Sequence, residues 1–311
     1  MTLALLCSGQ GRQHSAMFAL TGDVPEAAGF LHKASALLGD RNVRDFVRSD
    51  AGEIHHNRTG QIICTVQAIA AAAALGDAIP GGVIVAGYSV GEVAAWGVAG
   101  VFTGIDTLDL VACRAEAMDA ATQLGDGLMF ILGLRREVID ELCDRYGAAV
   151  AIVNPGDAFV VGGGRSALRA VADEARAMHA SRVIDLPVEV ASHTARLADA
   201  SVVFRDSLGR IPAEFPPGSG ARVLSGIDGS PVASLKGGLD KLAAQISHPV
   251  QWANCLQGCI EAGATAFLEL GPGHALSSMA ASAWPDIPAR SFDDFKSLQG
   301  VRSWLGQHAY R

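Results

Sequence analysis

Short β-branched apolar runs alternate along this chain with longer stretches of helical periodicity. Thr2–Cys7 reads as a first buried strand and runs into Ser8-Gly9-Gln10-Gly11-Arg12-Gln13. That is a glycine-bearing loop at the carboxyl end of a strand, where open α/β sheets put their ligands. Helical patterns follow at about 26–38 and 43–49, and an alanine-rich segment at about 61–75 has the composition of a helix buried on most sides. Pro80-Gly81-Gly82 turns the chain into a second apolar run, 83–87, and 92–99 is again compatible with helix. A further helix, 105–121, carries Arg114 on an otherwise apolar side.

The texture changes at Gly125-Asp126-Gly127. The order from there is strand 128–134, helix 136–146, strand 148–154, strand 158–162, helix 166–178 and strand 181–187, a ferredoxin-like β-α-β-β-α-β unit. Asn154-Pro155-Gly156-Asp157 supplies the hairpin turn between its middle strands. The glycines at 162–164 invite a phosphate-loop reading, but Walker spacing and a following lysine are missing, so a strand-to-helix turn is expected. After Pro187 the α/β texture returns, with a helix at 194–208, a strand at 221–225 and helices at 235–247 and 252–262. A strand at 266–270 ends in Gly271-Pro272-Gly273-His274, and a helix at 295–308 closes the chain. The expected architecture is a large α/β domain with a parallel sheet, residues 1–124 and 189–311, interrupted by a small ferredoxin-like subdomain, 125–188. Ligand clefts form at such joints.

Composition sharpens this picture in two respects. Half of the 311 residues are hydrophobic and only 18% are charged, which supplies a sizeable core, and the net charge of −8 argues against nucleic acid and anionic membranes as partners. Six scattered cysteines, with neither a signal-peptide pattern nor a membrane-length apolar run, predict buried thiols in a reducing, cytoplasmic setting. Cys255 and Cys259 lie one helical turn apart, but no second Cys/His pair at metal spacing accompanies them, so no metal is expected.

The candidate chemistry starts at Gly87-Tyr88-Ser89-Val90-Gly91, a G-x-S-x-G pattern between a strand and a helix. A sharp strand-to-helix turn tolerates no Cβ two residues either side of the serine. It lifts the Ser89 hydroxyl above the sheet and aims the Val90 N–H and the helix N-terminus at any oxyanion formed there. The plain alternative is a tight turn whose serine caps a helix. A serine nucleophile needs a base, and His193 stands where the chain re-enters the large domain; His274, His248 and His14 compete with it. Arg114 suits bidentate recognition of a carboxylate, its alternative being a salt bridge to Asp109, Glu116 or Asp119.

Six motifs occur in order: Gly9-Gln-Gly-x-Gln13, Gly87-x-Ser-x-Gly-Glu92, Arg114 followed by Met118, Ser192-His193, Pro249-Val-Gln-Trp252 and Leu270-Gly-Pro-Gly273. Together they resemble the malonyl-CoA:acyl carrier protein transacylase family over nearly the whole chain. The resemblance implies an α/β-hydrolase-like large domain and ping-pong acyl transfer. Ser89 would take the malonyl group as an ester, His193 would act as base, and the N–H groups of Gln10 and Val90 would form the oxyanion hole. Arg114 would hold the malonyl carboxylate, the main-chain carbonyl of Gln251 would orient His193, and Asn154 would sit near the cleft. It implies malonyl-CoA as substrate, no cofactor bound by this chain, and as acceptor the phosphopantetheine-type thiol of an acyl carrier protein. Tyr88 before the serine, and Cys7-Ser8 with Arg12 in the opening loop, are similar to the malonate decarboxylase epsilon subunit rather than the fatty-acid branch. That likeness implies the decarboxylase carrier subunit as partner, with the fatty-acid transacylase as the alternative. A serine thioesterase or esterase shares the elbow but would order its triad Ser, Asp/Glu, His and use an HGGG-type loop, which is absent.

Overall fold

A computed structural model describes residues 2–49 and 52–309. The chain supplies in order β1 (Thr2–Cys7), α1 (Pro25–Leu37), α2 (Val43–Ser49), α3 (Asn57–Leu75), β2 (Ile84–Gly87), α4 (Val90–Ala99) and α5 (Gly104–Ala121). A second group follows: β3 (Asp126–Leu132), α6 (Arg136–Tyr146), β4 (Ala149–Asn154), β5 (Ala158–Gly164), α7 (Arg165–Ala177) and β6 (Arg182–Asp185). The last stretch gives α8 (Ala198–Leu208), β7 (Arg222–Val223), α9 (Leu235–Ala244), α10 (Trp252–Glu261), β8 (Ala264–Glu269), α11 (Ala275–Ala283), β9 (Ala289–Ser291) and α12 (Leu298–His308).

Two sheets result. The larger is parallel and ordered β7-β2-β1-β8-β9, with β1 at its centre and Leu3 to Cys7 buried. Strands so enclosed read as continuous apolar runs, as these do. The smaller is antiparallel and ordered β4-β5-β3-β6, the ferredoxin-like arrangement expected from the element order, with α6 and α7 packed on one face. Register fixes where the chemistry collects. Cys7 pairs with Gly87 and Leu6 with Glu269, so the three central strands end side by side and their loops, 8–13, 88–89 and 270–274, converge.

Backbone bonds tie β4 of the small sheet to Val250, in the segment that leads into α10 of the large domain. Val153 N–H donates to the Val250 carbonyl and Val250 N–H to that of Ala151, both at 2.9 Å. Arg196, just before α8, adds side-chain bonds to Asp126 at 2.8 Å and to Gln123 at 2.7 Å.

Several boundaries differ from the sequence reading. Helix α9 ends at Ala244 rather than 247, and β3 starts two residues earlier, at Asp126. The segment 275–291 yields α11 and β9, which its run of small Ala and Ser residues did not signal. Among the described residues only 57–78, α3 with the turn after it, is long and apolar enough to cross a membrane, and it is largely packed inside the fold. Five cysteines are buried, but Cys113 is exposed, because it occupies the outward face of α5 beside inward Arg114.

Candidate active site

The elbow between β2 and α4 is as tight as its glycines demand. A Cβ on Gly87 would strike the main chain of Gly91, and one on Gly91 would strike the Cys7 carbonyl. Ser89 itself sits at φ 55°, ψ −119°, a strained conformation for a residue with a Cβ. The opening loop packs directly over it, since a Cβ on Gly9 would stand 2.7 Å from the Tyr88 carbonyl oxygen. Val90 opens α4, so its N–H is one of the first-turn donors with no partner inside the helix.

Ser89 Oγ lies 2.7 Å from His193 Nε2. His193 also has a positive φ, 63°, and is fully buried. Its Nδ1 is 2.6 Å from the Gln245 carbonyl, an acceptor there, so Nδ1 carries the hydrogen and Nε2 presents its lone pair to the serine. Burial, with the positive charge of Arg114 nearby, pushes His193 down to about 3, so the imidazole is neutral at physiological pH.

The carbonyl facing His193 therefore belongs to Gln245 and not to Gln251. Helix α9 stops at Ala244, which leaves the Gln245 carbonyl without a partner in the next helical turn and free to face the imidazole. Gln251 precedes α10, and its own N–H donates to the Gly226 carbonyl at 2.7 Å. The competing histidines lie elsewhere: His14 is paired with Asp293 at 2.9 Å, His248 bonds the Ala244 carbonyl at 3.0 Å, and His274 leads into α11.

Arg114 is 1% exposed and makes none of the anticipated salt bridges. Asp109 pairs with Lys33, Glu116 with Arg58, and Asp119 accepts from Asn57. The guanidinium instead donates to Gln61 Oε1 at 2.6 Å and Gln245 Oε1 at 3.2 Å, while its Nε is buried without a partner. Gln245 closes the circuit by donating its side-chain amide to the Ser89 carbonyl at 3.0 Å and to Glu92 Oε2 at 2.5 Å.

The cleft in front of Ser89 has a volume of about 470 Å³. One wall comes from Gly9, Gln10 and Arg12, the other from Leu128, Phe130, Ile152 and Asn154 of the small sheet. Asn154 thus lies in the cleft, with its Oδ1 buried and unpartnered, and Gln10 lines the mouth with its side-chain amide 3.3 Å from the Asn57 carbonyl. Arg114 does not line the cleft; it stands behind, reached through Gln245. Gln61, Glu92 and Gln245 escaped the sequence reading as site residues. The signals were that Glu92 closes the Gly87-x-Ser-x-Gly-Glu92 motif, and that a glutamine and a glutamate interrupt helices otherwise apolar enough to be buried. Among the described residues no group of acidic, His or Cys side chains could hold a metal.

The chain matches the acyl transferase domain family model over residues 4–286. It is 30% identical over 293 residues to the malonyl CoA-acyl carrier protein transacylase of Mycobacterium tuberculosis, covering 93% of this chain and 95% of that one. The crystal structure of an acyl-carrier-protein S-malonyltransferase from Burkholderia pseudomallei superposes with a TM-score of 0.89 at 28% identity, covering 97% of this chain and all of that one. A malonyl-transacylase in complex with its type II polyketide synthase acyl-carrier protein superposes with a TM-score of 0.89 at 25% identity, covering 97% and 99%. The chain belongs to the acyl transferase domain family, among the malonyl-CoA:acyl carrier protein transacylases.

Proposed function

We propose that this chain moves a malonyl group from malonyl-CoA to the thiol of an acyl carrier protein through an ester on Ser89. The observation that carries the reading is one line of contacts: Ser89 Oγ to His193 Nε2 at 2.7 Å, and His193 Nδ1 to the Gln245 carbonyl at 2.6 Å, at the floor of the cleft. His193 Nε2 takes the Ser89 proton as Oγ attacks the thioester carbonyl, and the oxyanion meets the N–H groups of Val90 and Gln10. The C–S bond breaks and His193 returns the proton to the departing coenzyme A sulfur. In the second half His193 takes the carrier thiol's proton, the thiolate attacks the ester, and Ser89 leaves with that proton restored. A neutral carbonyl behind His193, where a triad would put a carboxylate, leaves the imidazolium less stabilised. Arg114, behind the cleft at Gln245, is the residue we assign to the malonyl carboxylate, and Asn154, in the cleft wall, orients the thioester.

For the acceptor we propose the carrier subunit of malonate decarboxylase, on the strength of Tyr88, Cys7-Ser8 and Arg12. The fatty-acid-synthesis carrier is the second reading; the relatives of this chain are named malonyl CoA-acyl carrier protein transacylases, which specifies an acyl carrier protein as acceptor and no decarboxylase. Intact-mass spectrometry tests the chemistry: malonyl-CoA should leave one malonyl adduct on the chain, and Ser89→Ala should leave none. Free malonate without an adduct would replace transfer with thioester hydrolysis. Presenting the malonylated chain to each purified carrier then decides the acceptor, the faster discharge marking it.

A further inference from the structure

A buried guanidinium that is to receive a carboxylate faces two opposing demands. It needs a counter-charge to remain in an apolar core while the site is empty, yet a carboxylate bonded directly to it would occupy the donors the substrate needs. Glu92 meets both demands. It is 1% exposed on the first turn of α4, and among the described residues no carboxylate oxygen lies within 4 Å of Arg114. Its Oε2 is engaged elsewhere, by Gln245 Nε2 at 2.5 Å, and the Gly226 main chain bonds it as well. The two charges nevertheless act on each other, each favouring the other's ionised form. What stands between them is the Gln245 amide: its oxygen accepts from Arg114 and its nitrogen donates to Glu92, so the two neighbours fix which way it points.

We propose that Glu92 is the stand-off counter-charge of the carboxylate subsite, balancing Arg114 through Gln245 while leaving the guanidinium free to bind the acyl carboxylate. Glu92 is thus a positioning residue, since it would touch neither substrate nor reacting atoms. The long 3.2 Å bond from Arg114 to Gln245 and the unpartnered Nε are the donors that an incoming carboxylate would take up. Because Glu92 repels that carboxylate while holding the arginine's charge, it tempers malonyl affinity. The inference rests on the reading of Arg114 given above, and the test separates the two.

Glu92→Gln keeps an oxygen for Gln245 and Gly226 but removes the charge. The expected result is a severalfold fall in KM for malonyl-CoA with KM for acetyl-CoA unchanged. Glu92→Ala, which also takes one partner from Gln245, should lower the midpoint of thermal unfolding as well. Equal effects of Glu92→Gln on the two substrates, or none, would overturn the proposal and leave Glu92 a structural carboxylate. A measurement on the unmodified protein covers a variant that does not fold. Burial lifts Glu92 to about 7, with Arg114 from α5 opposing and Asp228 from the loop after β7 adding to the shift. Monomethyl malonate, a monoanion throughout, should therefore bind severalfold tighter as pH falls from about 8 to about 6. Affinity independent of pH over that range counts against the proposal. Should Arg114→Ala leave malonyl and acetyl transfer equally affected, the reading of Arg114 itself fails.

Discussion

Replacing Arg114 by alanine should turn a malonyl-selective enzyme into an indifferent one. The guanidinium is buried with two glutamine oxygens as partners, an idle Nε and no carboxylate within 4 Å among the described residues. Truncating one partner of a buried, hydrogen-bonded charge pair costs about 2–5 kcal/mol, or roughly 30- to 5000-fold in malonyl kcat/KM. Acetyl-CoA offers no carboxylate, so its kcat/KM should change by less than about threefold. Removing the arginine also strands the Gln61 and Gln245 oxygens, at a cost of about 1–3 kcal/mol each, so thermal unfolding must accompany the kinetics. Adduct formation from each thioester, followed by intact mass beside the rate of free acid release, reads selectivity and hydrolysis together. Equal losses on malonyl-CoA and acetyl-CoA would refute the reasoning. They would move the carboxylate to Arg12 or Arg182, the arginines that line the cleft.

Gly91→Ala drives a Cβ into the Cys7 carbonyl at the joint of β1 and the elbow; unfolding in denaturant should show a loss of about 3 kcal/mol or more, and wild-type stability would contradict the packing. Glu92, raised by burial from 4.5 to about 7, keeps between those two pH values a proton that the unfolded chain has released, and is ionised above them. Its contribution to stability is complete below about pH 4.5 and lost as pH rises through about 7, an effect of about 3 kcal/mol that Glu92→Gln should erase from the pH profile of denaturant unfolding. His193, held neutral by burial and by Arg114, should keep the rate of acylation flat across neutral pH, with the acid fall well below the ordinary histidine range. A midpoint near 6.5 would show the imidazole to be solvated.

Much of this site was written in local pattern. The elbow is legible because a glycine two residues either side of a serine, between an apolar run and a helix, leaves few conformations open, and the two units separate where the element order changes at 125. The carbonyl behind His193 was not legible. It depends on a helix stopping at residue 244, a boundary decided by the packing of the segment that follows. Gln61 and Glu92 come from two helices and Gln245 from the end of a third, far apart in sequence, and nothing local tells a buried glutamine with partners from one on a surface. The small residues of α11 hid a helix, since alanine and serine draw no contrast between faces.

The backbone stitches between residues 151–153 and Val250 have a consequence for how thioesters are sorted. A small sheet pinned by main-chain hydrogen bonds to the segment before α10 forms, with the large domain, a slot of set width rather than a pair of jaws. A prosthetic arm must enter such a slot extended and end-on, and only its leading acyl group reaches the serine. Discrimination among acyl groups then falls to the floor of the slot, and discrimination among carriers to its rim, so each could be altered without disturbing the other.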